Sequence, residues 1–428
     1  MLHPLDEIIH AQKRGEPRGI ASICSAHPWV LRAAMRVNGT LLIESTCNQV
    51  NQFGGYTGMT PQAFVAYVHD LAVEQNFPAS QLILGGDHLG PHVWQKEPAS
   101  AAMEKAQMLV QSCVRAGYTK IHLDASMKLG DDDPIHPLEI DLIAQRTAQL
   151  VKVAEETSTD TGQANQLRYV IGSEVPIPGG VTTAEPGIHV THVEDIRQML
   201  EATHSAMIYA GIEAAWERVI ALVVQPGVEF GDDFVIDYRA EAAQDLVRFV
   251  ETTPFVYEAH STDYQTRDKL RNLVRDHFAI LKVGPALTFV FRQAVFALAR
   301  MENELLPLPQ RSCLIEKLDD AMQREPGYWL NHYHGSAQEV AFARKYSLSD
   351  RSRYYWAQPD VQSALNVLLA NLRSTPLPLS LVSQYFPQHY PAVREGRLSN
   401  AVESLLIESI RAVLRDYHQA CTPVPISE

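Results

Sequence analysis

The fold of this chain can be worked out from one short stretch, residues 82–88 (LILGGDH). It begins with three apolar residues, which suit a buried strand, and it ends in the ionisable pair Asp87 and His88. Two glycines precede that pair and leave room for backbone or ligand to approach closely. The stretch therefore predicts a buried β-strand whose last residues are functional.

Seven further stretches repeat this pattern through the first three hundred residues. Each is a short run rich in Ile, Val and Leu, followed by a longer segment with helical periodicity. The runs lie at residues 19–25, 41–45, 120–124, 168–174, 219–225, 255–260 and 279–284. Strands that alternate with helices are typical of an α/β fold, and eight of them predict a (β/α)8 TIM barrel. The alternative is an open doubly wound sheet with a helical domain.

The pattern changes after residue 304. Residues 305–309 (LLPLP) break the last barrel helix, and the remainder is helix-like, with aromatic clusters but no further strand run. We therefore expect a barrel over residues 1–304 that carries the site, and a helical C-terminal extension over residues 305–428. The aromatic clusters, at residues 328–329 and 354–356, are expected to pack against barrel helices.

Composition and charge argue against several classes of function. The 428 residues are 46% hydrophobic and 20% charged, which suits a folded protein. The 36 Lys and Arg against 50 Asp and Glu give a formal net charge of -14, which disfavours nucleic acid as a partner. Five scattered cysteines without CxxC spacing indicate a reducing compartment rather than a disulfide framework. Because no apolar run approaches the roughly 18 residues that span a bilayer, we expect a cytoplasmic protein without a membrane partner.

Nearly all the predicted strands end in ionisable or amide residues. In a (β/α)8 barrel the carboxyl ends of the strands converge on one mouth, where such enzymes place their active sites. A carboxylate at a strand end could instead cap the next helix, but seven of eight strands ending this way favours a shared site. The candidates are Glu44, Asp87, His88, Asp124, Glu174, Gln225, Glu258, His260 and Lys282.

Two of these candidates are histidines on different walls of the predicted mouth. His88 and His260 could bind one divalent metal ion, with Glu174 or Gln225 completing an open site. We expect this ion to be Zn²⁺, Mn²⁺ or Ni²⁺. The alternative for either histidine is a hydrogen-bonded structural role.

Carboxylates crowded near a cation have separated pKa values that suit acid and base roles. Asp87, Asp124, Glu174 and Glu258 are therefore the candidate proton-transfer groups. Lys282 is a lone cation in an apolar strand. It could anchor an oxyanion or phosphate, form a Schiff base, or serve as a buried counter-ion for the carboxylates.

Three loops that follow strands are dense in amides and hydroxyls, which suits a polyhydroxylated ligand such as a sugar. They cover residues 46–56, 176–180 and 261–265. On the fourth strand, alternation places His122 on the same face as Asp124, and that face could line the lumen. The candidate substrate-binding residues are Glu44, Asn48, Gln49, Asn51, Ser126, Ser261 and Asp263.

Several long motifs resemble the Z-subunit family of bacterial D-tagatose-1,6-bisphosphate aldolases. They include residues 44–61 (ESTCNQVNQFGGYTGMTP), 85–91 (GGDHLGP), 258–265 (EAHSTDYQ), 281–289 (LKVGPALTF) and, in the extension, 346–351 (YSLSDR). The resemblance covers nearly the whole chain. Some members are labelled tagatose-6-phosphate kinases, but this sequence contains no GxxxxGK[ST] loop that would support that label.

The resemblance implies two different roles. The Z subunit is regarded as a non-catalytic partner of a class II aldolase subunit, whereas other members resemble ketohexose 4-epimerases that interconvert D-fructose and D-tagatose. Class II aldolases are zinc barrels whose Asp-His pair after strand three supplies a catalytic acid and a metal ligand. Asp87 and His88 match that pair, and His260 matches a second ligand. These aldolases carry a further His on strand six, where this chain has residues 225–229 (QPGVE), so Gln225 or Glu229 could replace it.

We therefore expect a metal-dependent enzyme that acts at C4 of a ketohexose or its phosphate, by retro-aldol cleavage and re-addition. Asp87 or Asp124 would take the C4 hydroxyl proton, and Glu174 or Glu258 would return protons. Lys282 would stabilise the developing negative charge. The alternative is a non-catalytic stabilising subunit of a class II D-tagatose-1,6-bisphosphate aldolase. The expected partners are a sugar or sugar phosphate and an aldolase catalytic subunit, and we expect a homo-oligomer.

Overall fold

Eight parallel strands close into a barrel in this computed structural model, which describes residues 3–37, 39–172 and 189–422. Each strand pairs with its neighbour in chain order, and the last strand pairs with the first, with Ile280 opposite Ile20. The predicted (β/α)8 fold is confirmed. The strands are β1 (Ile20–Ile23), β2 (Leu41–Thr46), β3 (Leu82–Leu89), β4 (Lys120–Leu123), β5 (Arg168–Ile171), β6 (Val219–Val223), β7 (Val256–Ala259) and β8 (Phe278–Val283).

The helices between the strands form the outer layer of the barrel. Several begin with proline in the first turn, as at Pro61, where Thr60 also accepts a hydrogen bond from the Ala63 N–H and so caps the helix. The helices are α2 (Pro28–Ala34), α3 (Pro61–Glu74), α4 (Ala99–Ala116), α5 (Ile140–Asp160), α6 (Val193–Tyr209), α7 (Gln244–Glu251), α8 (Arg267–Arg275) and α9 (Pro285–Leu305). A short antiparallel hairpin lies between β6 and α7, and its two strands, Glu229–Phe230 and Val235–Ile236, have two residues each.

An N-terminal helix, α1 (Pro4–Lys13), lies at the amino-terminal end of the barrel. Its buried residues Leu5, Ile8 and Ile9 form one apolar cluster with residues near the starts of the strands, such as Ile20 and Ile83. Burial of these side chains excludes water from that end of the barrel. The polar ends of the strands therefore lie at the opposite, carboxyl end.

The C-terminal extension is helical, as the sequence predicts. Its helices are α10 (Leu314–Arg324), α11 (Ala337–Tyr346), α12 (Pro359–Ser374), α13 (Leu379–Tyr385), α14 (Tyr390–Arg394) and α15 (Val402–Cys421). Helix α15 packs against α2, α8 and α9, so the extension shares a core with the barrel. Trp356 packs on Phe291 of α9, with 5.0 Å between ring centroids. The division at residue 304 stays a prediction, because α9 runs across it to Leu305.

Two further features bear on the sequence-based expectations. Among the described residues, no helix is both long enough and apolar enough to cross a membrane. All five cysteines carry free thiols. The candidate residue Glu174 and the loop at residues 176–180 lie outside the described part of the chain.

Candidate functional site

A buried network of ion pairs fills the carboxyl end of the barrel. Glu44 on β2 accepts hydrogen bonds from Lys120 Nζ on β4 and Lys282 Nζ on β8, at 2.9 and 2.8 Å. Lys120 Nζ also lies 2.6 Å from Glu258 Oε2 on β7, and Lys282 Nζ lies 2.5 Å from Asp87 Oδ1 on β3. Five side chains from five different strands are thus joined into one network. The predicted convergence of charged residues at the mouth is present in the structure.

Three histidines lie directly beside this network. The ring centroids of His88, His122 and His260 are 4.7 to 5.3 Å apart. Together with Asp87, each offers one ligand atom, and these four atoms all lie within 4.8 Å of one another. Imidazole nitrogens and a carboxylate are a donor set that suits Zn²⁺ and other divalent transition metals. These four residues, which we call the histidine cluster, could hold a metal ion.

An irregularity in β3 brings Asp87 and His88 to the same side of the strand. Neighbouring strand residues normally face opposite sides of a sheet. His88 adopts a left-handed conformation, with φ of 47°, and the pairing of β3 with β4 shifts register between Gly86 and Leu89. A left-handed backbone is rare for a residue other than glycine, and such strain concentrates at functional sites. It explains how two consecutive residues both reach the histidine cluster.

The hydrogen bonds of His88 suit a metal ligand. Its Nδ1 lies 2.9 Å from Asp124 Oδ2, so the Nδ1–H donates to this carboxylate and the lone pair is left on Nε2. That Nε2 is buried and has no hydrogen-bond partner among the described residues. A carboxylate that orients an imidazole in this way is common behind metal-bound histidines. Asp124 is itself fixed by the Ser126 N–H and Oγ–H.

The formal charges of the mouth also favour a divalent cation. Four carboxylates face two lysines, which leaves two negative charges when the histidines are neutral, as metal ligands must be. Although burial lowers the pKa of His88, Asp87 and Asp124 raise it above its usual value, so the protonated form of this ring is favoured when no metal is bound. Burial alone would raise the pKa of Asp87, but His88 and Lys282 outweigh it and hold that pKa well below its usual value. Burial lowers the pKa of His260 to about 3, so this imidazole is neutral and can act as a ligand. The charged residues are Glu44, Asp87, Asp124, Glu258, Lys120 and Lys282.

Lys282 serves as a counter-ion in this network. Although burial lowers its pKa, Asp87, Cys24 and Glu258 raise it well above the usual value. A lysine that remains protonated is a poor nucleophile, so the Schiff-base alternative is disfavoured. Its ammonium is bound by three carboxylates at 2.5 to 3.4 Å.

Sequence reasoning missed His122 as a candidate ligand. His122 Nδ1 lies 2.9 Å from Asp87 Oδ1, and its Nε2 lies 3.1 Å from the Gly172 carbonyl oxygen. Its position two residues before Asp124 was the available signal. Gln225, the predicted third ligand, instead accepts hydrogen bonds at Oε1 from the Gly227 and Val228 N–H groups. Its role as a metal ligand stays a prediction.

A pocket of about 160 Å³, here called the main pocket, opens above the histidine cluster. Most predicted site residues line it, namely Asn48, Gln49, Asp87, His88, Asp124, His260, Ser261, Asp263 and Lys282. Burial raises the pKa of Asp263 to about 6, which suits proton exchange near neutral pH. Glu44 and Glu258 lie buried in the ion-pair network instead of on the pocket wall.

Two predicted substrate-binding residues hold loops together rather than lining the pocket. Asn51 donates to the Cys47 carbonyl oxygen and accepts from the Phe53 and Gly55 N–H groups. Ser126 donates to Asp124, so it acts behind His88. Their substrate contacts stay predictions.

The C-terminal extension contributes two residues to the wall of the main pocket. Arg353 and Tyr354 both line it, and the Tyr354 ring lies 4.8 Å from that of Tyr56 on the loop after β2. Sequence patterns do not predict how the extension packs on the barrel, so the place of Arg353 and Tyr354 at the mouth could not be derived from them. The aromatic cluster at residues 354–356 is therefore divided, because Trp356 packs on the barrel and Tyr354 borders the pocket.

The fold and the mouth define a TIM-barrel protein with a candidate metal site at the carboxyl ends of its strands. Residues 5–422 match the family described as D-tagatose-1,6-bisphosphate aldolase subunit GatZ/KbaZ-like. The chain belongs to this family.

Individual relatives agree with this assignment. The chain is 50% identical to the D-tagatose-1,6-bisphosphate aldolase subunit GatZ of Salmonella newport, over 98% of this chain and 99% of the relative. The D-tagatose-1,6-bisphosphate aldolase subunit GatZ of Salmonella gallinarum is likewise 50% identical, over 98% of this chain and 99% of the relative. A crystal structure from Sinorhizobium meliloti 1021, described as a "probable tagatose 6 phosphate kinase", is 42% identical with a TM-score of 0.87. The superposition covers 94% of this chain and 100% of the chain in the crystal structure.

The histidine cluster leads to a test by metal analysis. We expect the protein to bind about one equivalent of Zn²⁺, Mn²⁺ or Ni²⁺, and H122A or H88A to weaken that binding at least tenfold. The matched control is H92A, because His92 lines the main pocket but lies outside the cluster. Elemental analysis and titration calorimetry measure the effect, with circular dichroism to verify folding. Equal metal binding by H122A, H88A and the unaltered protein would contradict the assignment.

Proposed function

We propose that the chain acts in tagatose metabolism as the Z-type subunit of a D-tagatose-1,6-bisphosphate aldolase, and that its barrel mouth binds a divalent metal ion and a ketohexose. Family membership and the names of the relatives support the subunit role. The convergence of His88, His122 and His260 beneath the main pocket supports the metal and sugar role. A subunit with a purely structural role would not need this buried cluster of charges.

The finer proposal is that the mouth inverts C4 of the ketohexose. A bound divalent ion would supply Lewis-acid polarisation of the C2 carbonyl and the neighbouring hydroxyl. Asp87 lines the pocket as an ionised carboxylate, so it is placed to accept the C4 hydroxyl proton. Lys282, 2.5 Å from Asp87, holds that carboxylate ionised and so keeps it able to accept a proton.

The bond changes of this reaction balance without an external reagent. When the C4 hydroxyl loses its proton, the C3–C4 bond breaks, C4 becomes an aldehyde and the electron pair passes to C3 and the C2 oxygen. Rotation of the aldehyde and re-formation of the C3–C4 bond invert C4, and the proton returns to the C4 oxygen. Asp263 is better placed than Glu258 for proton return, since Asp263 lines the pocket and Glu258 is bound to both lysines.

Epimerase and aldolase activity differ here only in what happens to the aldehyde. If the aldehyde is retained and adds back, the product is the C4 epimer, and if it leaves, the net reaction is aldol cleavage. A pocket whose wall includes Arg353 and Tyr354 of the extension favours retention.

The C4 proposal is tested by turnover of the isolated chain. With Mn²⁺, Ni²⁺ or Zn²⁺ present, we expect interconversion of D-fructose and D-tagatose, or of their 6-phosphates, and D87N should lower kcat about 10²- to 10⁴-fold. The matched control is D133N, because Asp133 forms an exposed pair with His136 and does not line the main pocket. Chromatographic separation of the two sugars gives the rate. Absence of metal-dependent interconversion of the two sugars would contradict the epimerase proposal.

The subunit proposal has a separate test. On co-expression with a class II tagatose-bisphosphate aldolase catalytic subunit, we expect the two chains to co-purify and the midpoint of aldolase heat inactivation to rise, because binding stabilises the native state by mass action. If the subunit role is purely structural, the D87N variant will still co-purify with the catalytic subunit and raise the midpoint of its heat inactivation. Failure to co-purify, with unchanged heat inactivation, counts against the subunit role.

A further inference from the structure

A second cavity adjoins the main pocket beneath the C-terminal extension. We call it the side cavity; its volume is about 230 Å³. It shares a wall with the main pocket, formed by Cys24, Gln49, Tyr56, Gly284, Pro285 and Arg353. The two cavities therefore adjoin at Arg353, and one ligand could extend from the histidine cluster into the side cavity.

The lining of the side cavity includes two side chains, Trp356 and His27, whose polar atoms lack hydrogen-bond partners within the described ranges. The indole Nε1–H of Trp356 is buried and has no acceptor among the described residues, and Trp356 is 1% exposed. Both ring nitrogens of His27 are likewise buried without a described partner. Burial lowers the pKa of His27 to about 3, so the ring is neutral and carries one N–H donor. Buried donors of this kind are costly unless a ligand or water satisfies them.

Arg353, in the shared wall, is a cation whose hydrogen bonds go to neutral acceptors. Its Nη1 donates to the carbonyl oxygens of Ser349 and Asp350, and its Nη2 donates to the Tyr354 hydroxyl. It forms no ion pair with a carboxylate of the described residues. The Asp350 carboxylate is instead bound to Arg292, at 3.0 Å. A largely desolvated guanidinium with only neutral acceptors favours an anion in the adjoining space.

Among the described residues, no carboxylate forms an ion pair with Arg353. Burial raises the pKa of Asp263 and Arg353 opposes that rise, so the two groups interact electrostatically, but the Asp263 Oδ1 accepts hydrogen bonds from the Gly284 and Ala286 N–H groups instead. The remaining Lys or Arg on either cavity wall is Lys282, which is already neutralised by three carboxylates. Arg353 is therefore the cation available to an anionic ligand.

We propose that the side cavity is an anion subsite, in which Arg353 and the Trp356 N–H hold the phosphate or carboxylate of a sugar whose keto end lies in the main pocket. This rests on the sugar-binding role proposed above for the main pocket. The extension then selects the ligand, since it supplies both donors, while the barrel supplies the histidine cluster. A neutral ketohexose lacks the group that Arg353 binds.

The test measures equilibrium binding, so it does not depend on turnover. Titration calorimetry with metal-loaded protein would compare D-fructose 6-phosphate, the C6 carboxylate analogue D-fructuronate, neutral D-fructose and inorganic phosphate. We expect an anionic sugar to bind at least tenfold more tightly than D-fructose. R353M should weaken its binding about 10- to 100-fold, and W356F, which keeps a ring and removes the N–H, about 3- to 10-fold. The fructose 6-phosphate and fructuronate arms distinguish phosphate from carboxylate.

The matched control is R394M, because Arg394 also contacts a tyrosine, Tyr390, but lies on the surface of the extension. It should leave binding unchanged. If R353M fails to fold, the comparison of W356F with the unaltered protein tests the proposal instead. Three results would overturn the proposal: no preference for anionic sugars, equal binding by W356F and the unaltered protein, or equal loss for D-fructose and its phosphate in R353M. If anion binding follows the prediction but no epimer forms, the C4 proposal fails and the subsite stands.

Discussion

The interaction on which the mouth depends is the ion-pair network that Lys120 and Lys282 make with Glu44, Asp87 and Glu258. Removing one partner from a buried network of this kind costs about 3–5 kcal/mol, because the remaining charge is left without compensation. Apolar residues could fill the same volume at no loss of stability. A buried charged core at the open end of a barrel is therefore better explained by the electrostatic environment that it provides for a ligand.

The network and the histidine cluster divide the mouth into two layers. The lysines fix the carboxylates below, and the cluster places above them, next to the main pocket, a buried His88 Nε2 that has no hydrogen-bond partner in the described part of the chain. The left-handed backbone at His88 makes this arrangement possible, since it allows consecutive residues to share one face. From the extension, Arg353 and Tyr354 complete the wall of the main pocket. A catalytic subunit and an accessory subunit could both use such a site, the latter to bind a ligand that controls assembly.

The sequence predicted the barrel and most of the mouth because both depend on local patterns. Apolar runs with polar ends define the strands, and convergence of the carboxyl ends follows from the fold. His122 was missed because the expected third histidine was sought on strand six, where Gln225 instead fixes its own loop. The side cavity could not be predicted, because Arg353 and Trp356 are distant in sequence from His27 and meet it only through packing of the extension.

If His88, His122 and His260 hold a metal ion at the mouth, X-ray absorption spectroscopy of protein loaded with one equivalent of Zn²⁺ will detect all three rings. We expect scattering from three imidazole rings with Zn–N distances of about 2.0–2.1 Å, and one fewer ring after H122A. A spectrum that contains oxygen ligands alone, or one that H122A leaves unchanged, would contradict it.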